Sequence, residues 1–274
     1  MSKKADILVM AHRGFRGIAP ENTLLAARAA FEAGAPWWEL DVAASSDGLL
    51  VVLHDDKLVR TTDAQAVFPA RAPWAVYDFS AAELGRLDAG SWYETTDPFG
   101  QIAAGRVGPA ELASFRGERI PSLRACLEAT KSAARKVNVE IKDATGRACD
   151  PWIVERTVEM IREFGMEGRV IISSFNHEYL RRVKRAEPRL DTGALVEERP
   201  ANLVPLLRDI GARAYHPGMA RLDEATVREV REAGFDVNVW TVNEKADMER
   251  LLGWGVTGLI TDFPDRALEV LGRR

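Results

Sequence analysis

Residues 37–55 read WWELDVAASSDGLLVVLHD, and this stretch decides how the rest of the chain is interpreted. Two apolar, β-prone runs flank an Asp-Gly pair at 47–48, which is a strong signal for a β-hairpin. Glu39 and Asp41 alternate with apolar neighbours, so on a strand both side chains leave the same face. The hairpin turn returns His54 to the neighbourhood of Asp41. Two carboxylates and an imidazole in mostly apolar surroundings are typical of a metal-assisted hydrolytic site.

The composition is that of an ordinary soluble globular protein. The 274 residues can bury a large core, and 46% of them are hydrophobic while 28% are charged. The net charge of -4, without an evident basic face, argues against a nucleic-acid partner. Cys126 and Cys149 are too few for a disulfide framework, which favours a reduced, cytoplasmic compartment. No signal-peptide pattern or apolar run of membrane length is found, so stable membrane insertion is not expected, and the oligomeric state is left open.

Strands and helices alternate along most of the chain. Strand-like runs that are each followed by a helical pattern begin near residues 7, 37, 137, 170, 192, 213, 237 and 259. Eight such units predict a closed parallel sheet, the (β/α)8 or TIM barrel. Alternation does not prove closure, so a doubly wound open sheet is the alternative. The run 49–54 lies too close to its predecessor for a parallel crossover and is predicted as the return arm of an excursion after strand two.

The chain is predicted to form one domain, residues 1–274, with residues 56–119 as an insertion between strand two and its helix. The insertion contains one capping-box pattern, at 80–83, and is otherwise loop-like. It is too aromatic for a disordered linker, since it carries Phe68, Trp74, Tyr77, Phe79, Trp92, Tyr93, Phe99 and Phe115. We therefore expect it to pack over the mouth of the barrel.

Three smaller predictions concern two helix starts and one histidine. Pro20 is predicted to lie near the start of a helix that runs to about residue 33, which makes Asn22 part of the helix start. Asp262 precedes Phe-Pro and is predicted to cap the last helix. His216 lies at a strand end, and two roles are open for it: a structural role or a place in the lining of the pocket.

In a TIM barrel the reactive groups gather at the carboxyl ends of the strands. Glu140 and Lys142 repeat the spacing of Glu39 and Asp41, so they point the same way on the next strand. Three carboxylates that converge in a low-dielectric barrel repel one another unless a cation holds them. Hard oxygen ligands without cysteine favour Ca²⁺ or Mg²⁺ over zinc.

The remaining charged groups at the strand ends suit an anionic phosphoryl substrate. Arg13 and Lys142 supply fixed positive charge beside the predicted metal. His12 and His54 offer imidazoles that titrate near neutrality, one to accept a proton and one to donate it.

The ordered set of motifs resembles the glycerophosphodiester phosphodiesterase family nearly from end to end. Single pieces such as His-Arg-Gly are weak, but the order of the pieces is specific. The motifs are His12-Arg13-Gly14, Pro20-Glu21-Asn22-Thr23, Glu39-Leu40-Asp41-Val42, Asp47-Gly48, Val52-Leu53-His54-Asp55, Glu140-Ile141-Lys142, Val239-Trp240-Thr241-Val242-Asn243 and Thr261-Asp262-Phe263-Pro264-Asp265.

The resemblance implies a barrel hydrolase that cleaves glycerophosphodiesters to sn-glycerol 3-phosphate and an alcohol. The positions that match the family's functional residues are His12 and His54 as the acid–base pair, Glu39, Asp41 and Glu140 as ligands of one divalent cation, Ca²⁺ or Mg²⁺, Arg13 and Lys142 as phosphate contacts, and Trp240 as an apolar wall against the glycerol. Residues 63–69 and the Trp-Trp pair at 37–38 depart from the family's pattern, which leaves the identity of the leaving alcohol open.

Two other functions remain open at the level of sequence. The aromatic insertion could hold an acyl chain, which would suit a related barrel enzyme that acts on lysophospholipids as a lysophospholipase D-type hydrolase or as a cyclising lyase. A non-catalytic barrel that only binds glycerophosphates is the other reading, and the complete set of His, Glu, Asp and Lys residues argues against it.

Overall fold

A computed structural model describes residues 7–273 of the chain. The expectation that no targeting signal precedes the first strand concerns residues 1–6, which lie outside the described residues. In chain order the strands are β1 (Leu8–Ala11), β2 (Trp37–Ala44), β3 (Leu50–Val52), β4 (Lys136–Ile141), β5 (Val170–Ser174), β6 (Asp191–Val196), β7 (Ala214–Pro217), β8 (Asp236–Val239) and β9 (Gly258–Thr261).

Eight of these strands are parallel and close into a barrel. β1 pairs with β2 on one side and with β9 on the other, so the sheet has no open end. The short β3 pairs antiparallel with β2 and lies outside the parallel order. The predicted (β/α)8 barrel is therefore confirmed, and the open doubly wound sheet is wrong.

An α-helix follows each of the barrel strands, and four short α-helices lie between β3 and β4. Most of the long ones bury one apolar face and expose a polar one, as expected for helices that cover a barrel. The helices are α1 (Leu24–Glu32), α2 (Ala64–Val67), α3 (Ala81–Leu84), α4 (Trp92–Thr96), α5 (Pro109–Phe115), α6 (Leu123–Ser132), α7 (Ile153–Glu163), α8 (His177–Ala186), α9 (Leu203–Asp209), α10 (Glu224–Glu232), α11 (Lys245–Trp254) and α12 (Pro264–Val270). Within residues 7–273 none of them is both long enough and apolar enough to span a membrane.

The period of two along β2 decides which side chains reach the barrel interior. Trp38 points outward and donates its indole N–H to Thr130 Oγ1 of α6 at 2.8 Å. Trp37 packs instead in a small apolar cluster with residues of β1, β5 and β9. Glu39 and Asp41 share the face of Trp37, so both carboxylates are directed into the barrel above that apolar cluster.

The segment 56–119 packs against the hairpin and the first helix through two apolar clusters. One cluster joins the hairpin to Phe68, Trp74, Tyr77 and Phe79, and the other joins the start of α1 to Trp92, Tyr93, Phe99 and Phe115. All eight aromatic side chains of the segment are thus engaged in packing contacts, and Tyr77 and Phe99 also contact the barrel core. Between these clusters and the barrel, the Tyr93 hydroxyl donates to the carbonyl of Gly17 at 2.6 Å.

Replacing Tyr93 by phenylalanine is expected to lower the free energy of unfolding by about 1–2 kcal/mol, because it leaves the buried Gly17 carbonyl without this donor. The ring and its edge-to-face contact with Phe115 remain, so packing is not the cause of the loss. Urea unfolding of the two proteins measures the difference. Coincident unfolding curves would contradict the assignment.

The start of α1 differs from the prediction. Thr23 is the N-cap, and its hydroxyl accepts from the backbone N–H of Ala26, so Pro20 lies outside the helix. Asn22 has a φ of 58°, in the left-handed region that asparagine tolerates but that no helix contains. Its side chain hydrogen-bonds to Asp41 rather than to the helix. The predicted helix start is therefore wrong by about one turn, because a side-chain contact with β2 holds Asn22 in another conformation.

Candidate active site

The structure brings all eight predicted site residues to the carboxyl end of the barrel. One cavity of about 300 Å³ opens there. It is lined by seven of the eight, His12, Arg13, Glu39, His54, Glu140, Lys142 and Trp240. The eighth, Asp41, is almost fully buried and contacts both Arg13 and Lys142 from below. Residues that are distant along the chain therefore share one site because parallel strands end at the same rim.

Three carboxylates form a buried cluster in this cavity. Glu39, Asp41 and Glu140 each offer one oxygen, and these oxygens lie within 4.8 Å of one another. Asp41 of β2 is the direct register partner of Glu140 on β4, which explains their approach. Oδ1 of Asp41 is buried without a hydrogen bond, and the Lys142 ammonium lies 3.6 Å from it. A buried acceptor left in this way, in a set of oxygen donors only, fits a hard divalent cation.

The titration of the three carboxyls differs with their neighbours. Burial raises the pKa of Glu39 well above its usual value, and the charges of Asp41 and Glu140 add to that rise. Burial, with the charge of Asp41, also raises the pKa of Glu140. Although burial acts in the same direction on Asp41, Arg13 and Lys142 hold its pKa below the usual range. The raised pKa values of Glu39 and Glu140 mean that ionising all three carboxyls together is unfavourable, and a bound divalent cation would offset that cost.

Arg13 and Lys142 supply the positive charge of the site. The Arg13 backbone N–H donates to Glu39 Oε2 at 2.8 Å, and its φ of 54° is the uncommon left-handed conformation that directs this N–H into the barrel. Its guanidinium lies 3.4 Å from Asp41 and donates to Glu21 at 2.8 Å. The Lys142 ammonium donates to Glu140 Oε1 at 2.8 Å. Both cations are therefore anchored by carboxylates while they line the cavity.

His12 is held by a carboxylate from the opposite end of the chain. Its Nδ1 lies 2.7 Å from Asp262 Oδ1. Asn243 in turn donates to Asp262 Oδ2 at 2.8 Å and accepts the backbone N–H of Asp262. Burial and the charge of Arg13 lower the pKa of His12 despite this carboxylate. A neutral imidazole with its proton on Nδ1 leaves Nε2 free to accept a proton.

His54 has the same type of partner in a more exposed position. Its Nδ1 lies 2.6 Å from Asp55 Oδ1, and its side chain is 32% exposed, against 13% for His12. Arg60 binds the other oxygen of Asp55 at 2.6 Å and also donates to Glu21 at 2.7 Å. The two imidazoles are thus oriented alike by carboxylates but differ in their contact with solvent.

Known proteins resemble this chain over nearly its whole length. The sequence pattern of the Glycerophosphoryl diester phosphodiesterase family matches residues 12–266. A glycerophosphodiester phosphodiesterase of Caldanaerobacter subterraneus is 36% identical, over 96% of this chain and 97% of that protein. The chain belongs to the glycerophosphoryl diester phosphodiesterase family. The predicted family and the prediction that the chain is an enzyme of this kind are confirmed.

Two further relatives support the same conclusion. A glycerophosphodiester phosphodiesterase of Bacillus subtilis is 33% identical over 94% of this chain and 84% of that protein. An Oleispira antarctica phosphodiesterase, solved with its product sn-glycerol 3-phosphate, superposes with a TM-score of 0.79 at 28% identity. That match covers 97% of this chain and 96% of the solved chain. The relatives therefore span the whole barrel together with the segment 56–119.

Several residues of the enzyme's site were missed or misassigned by sequence reasoning. Asp262 does not cap the last helix, since α12 begins at Pro264 with Phe263 as N-cap. Asn22 donates to Asp41 at 2.8 Å. Glu21 is buried and binds the side chains of Arg13 and Arg60. All three residues lie inside motifs that resemble those of the family. The motifs do not show which side chains each residue contacts.

His216 lies outside the active-site cavity in the structure. It is fully buried, its Nε2 lies 3.0 Å from Asn238 Nδ2, and burial lowers its pKa to about 3. Its backbone carbonyl accepts the indole N–H of Trp240 at 2.8 Å. Of the two roles left open for His216, the structural one agrees with its position.

Replacing Asp262 by asparagine is expected to lower kcat by about 10² or more, because it reverses the tautomer of His12. Asn243 already faces residue 262 with its N–H group and with the oxygen that accepts the backbone N–H. The new amide must therefore turn its oxygen to Asn243 and its NH₂ to Nδ1 of His12. The proton then moves to Nε2, which can no longer accept one. Steady-state kinetics measures the loss.

A compensating change tests whether the tautomer of His12 needs a carboxylate at position 262 itself or only an acceptor oxygen there. If Asn243 is also replaced by aspartate, residue 243 accepts from the amide, and the oxygen of Asn at 262 again faces His12 Nδ1. The double variant should recover a large part of the lost kcat. If the double variant is no faster than Asp262→Asn, the tautomer argument is wrong.

Proposed function

We propose that the enzyme hydrolyses glycerophosphodiesters to sn-glycerol 3-phosphate and an alcohol, with His12 and His54 as its acid–base pair. The observation that carries this proposal is that both imidazoles line the same cavity as the buried carboxylate cluster and two anchored cations. General acid–base groups, a negative cluster for a cation and positive side chains for an anion are the parts that phosphodiester cleavage requires.

The phosphoryl group binds through positive charge. Arg13 and Lys142 line the cavity and keep their protons, because the neighbouring carboxylates raise the pKa of each side chain despite its burial. Glu39, Asp41 and Glu140 are the residues that would hold one divalent cation, Ca²⁺ or Mg²⁺, which would supply electrostatic stabilisation of the charge on the non-bridging oxygens. Trp240 bounds the cavity as an apolar wall for the glycerol.

The two histidines divide the proton transfers. His12 has the lowered pKa and the buried position expected of a base that is neutral at working pH, so it accepts the proton of the attacking oxygen. His54, nearer solvent, donates a proton to the oxygen of the leaving alcohol. The attacking oxygen is either water or the glycerol 2-hydroxyl, which would pass through a cyclic phosphate.

The lysophospholipid alternative loses the observation that favoured it. It required the aromatic side chains of the segment 56–119 to face the substrate. Those side chains pack in two clusters with the hairpin and α1, and residues 56–119 contribute nothing to the lining of the active-site cavity. We therefore propose the glycerophosphodiester reaction alone.

The decisive assay is product analysis on a panel of glycerophosphodiesters. Released sn-glycerol 3-phosphate is measured enzymatically, and phosphorus NMR follows every phosphate species with time. We expect sn-glycerol 3-phosphate together with the free alcohol. Release of glycerol and an alcohol phosphate, or a cyclic phosphate as the final product, would overturn the proposed reaction.

A further inference from the structure

On the side of the barrel opposite the charged cluster, the active-site cavity is lined mainly by apolar and aromatic side chains. Phe175 follows β5, Leu195 and Glu197 lie at the end of β6, and Trp240 follows β8, and all four line the active-site cavity. None of these positions except Trp240 belongs to the motifs that identify the family. Trp240 is the wall proposed for the glycerol, so the more exposed Phe175 and Glu197 offer a separate determinant for the leaving alcohol.

Phe175 is an aromatic side chain held at the mouth of the cavity. It is 39% exposed, and within residues 7–273 only Leu49 is a comparably exposed large hydrophobic side chain. Its ring lies edge-to-face with Trp240 at a centroid distance of 5.7 Å. The Trp240 indole is fixed by its hydrogen bond to the His216 carbonyl. The two rings thus form a corner whose more exposed member, Phe175, is open to a ligand.

Glu197 places a carboxylate beside this corner. It is exposed, and among the described residues it has no hydrogen bond or ion pair, whereas its neighbour Glu198 pairs with Arg221. Glu197 lines the active-site cavity and also two recesses that adjoin it, one shared with Phe175 and the other with Trp240. The carboxylate therefore stands where the cavity opens outward.

We propose that Phe175 and Glu197 select glycerophosphodiesters whose leaving alcohol carries an ammonium group. This inference rests on the proposed function, because the phosphate must be held at Arg13 and Lys142 for the alcohol to reach the outer wall. An ammonium group gains from an aromatic ring and from an unpaired carboxylate together. Both features occur here on the same side of the exit.

Other substituents fit this wall less well. An acyl chain would remove Glu197 from water without giving the charge a partner, which is costly. An anionic alcohol would be repelled by the same carboxylate. A neutral polyol could hydrogen-bond to Glu197 but would gain nothing from the face of Phe175. The cationic substituent is the one that uses both side chains.

The test compares two substrates of nearly equal shape. Glycerophosphocholine is paired with its neutral isostere, in which a carbon atom replaces the quaternary nitrogen, and kcat/KM is measured for both. The wild-type enzyme should prefer the cationic substrate by about 10-fold. Glu197→Gln should reduce that ratio to about 2–3, and Phe175→Leu should also reduce it. The change should appear mainly in KM, because the cation touches the wall before and during the reaction.

Glu198→Gln is the matched control. It removes one neighbouring negative charge that does not line the active-site cavity, so the wild-type ratio should persist. A wild-type ratio near one, or a ratio that Glu197→Gln leaves unchanged, would overturn the inference while the proposed function stands. Absence of hydrolysis with either substrate would overturn the proposed function, and this inference with it.

Discussion

Replacing His12 or His54 by alanine is expected to lower kcat about 10²–10⁴-fold, the range for loss of a general acid or base. Both imidazoles line the cavity, and each is oriented through Nδ1 by a carboxylate, so each is held in position to transfer a proton through Nε2. The measurement is steady-state release of sn-glycerol 3-phosphate at saturating substrate. Full turnover in both variants would refute the acid–base assignment.

The pH profile gives a second readout for His12. Because burial and Arg13 lower its pKa, the base form persists below the ordinary value of 6.5. The acid limb of kcat/KM that depends on His12 should therefore lie below pH 6.5. Glu178→Gln serves as the control, since Glu178 is an exposed residue of α8 and does not line the active-site cavity. It should keep wild-type turnover and the same profile.

Removal of the divalent cation is expected to have an effect of similar size. A cation supplies several kcal/mol of stabilisation to a phosphoryl transition state, so a chelated enzyme should lose about 10²–10³-fold in kcat. Asp41→Asn should reproduce the loss, because it removes one carboxylate of the cluster proposed to hold the cation. Activity is assayed after EDTA treatment and again after Ca²⁺ or Mg²⁺ is restored.

The same site can be followed without any assay of activity. A cation that binds only the folded protein raises its stability by about 2.7 kcal/mol at a concentration 100 times its Kd. The wild-type midpoint of thermal unfolding should therefore rise with added Ca²⁺ or Mg²⁺, and Asp41→Asn should abolish the rise. Glu198→Gln, outside the cluster, should keep it. Full turnover in protein shown by elemental analysis to be free of metal would contradict the metal assignment.

Much of the site could be predicted because its residues lie in local patterns. Glu39 and Asp41 are directed to one face by the period of two along a strand, and β2 shows that face to be the barrel interior. The hairpin returns His54 toward Asp41, with the Leu53 N–H bonded to the Asp41 carbonyl at 3.0 Å. The alternation along a strand and the residues of a turn depend on only a few neighbouring positions, so both can be recognised without the tertiary structure.

The conformation of Asn22 shows the limit of prediction from local sequence patterns. Its neighbours have the composition of a helix start, yet its left-handed backbone is held by hydrogen bonds to Asp41 on another element. Local propensity amounts to less than about 1 kcal/mol per residue, which buried tertiary hydrogen bonds can exceed. A boundary that depends on such a contact cannot be placed from local pattern.

By itself the sequence determined the alternation of strands and helices, the face on which each acidic residue lies, and the ordered motifs of the family. Only the tertiary structure decided which side chains contact and orient the residues of these motifs. His12 and Asp262 are 250 positions apart and meet because β1 pairs with β9 when the barrel closes. The aromatic residues of the segment 56–119 and the carboxylate of Glu197 were likewise assigned only by their surroundings. Periodicity encodes the direction of a side chain from its own backbone, whereas a partner depends on how distant elements pack together.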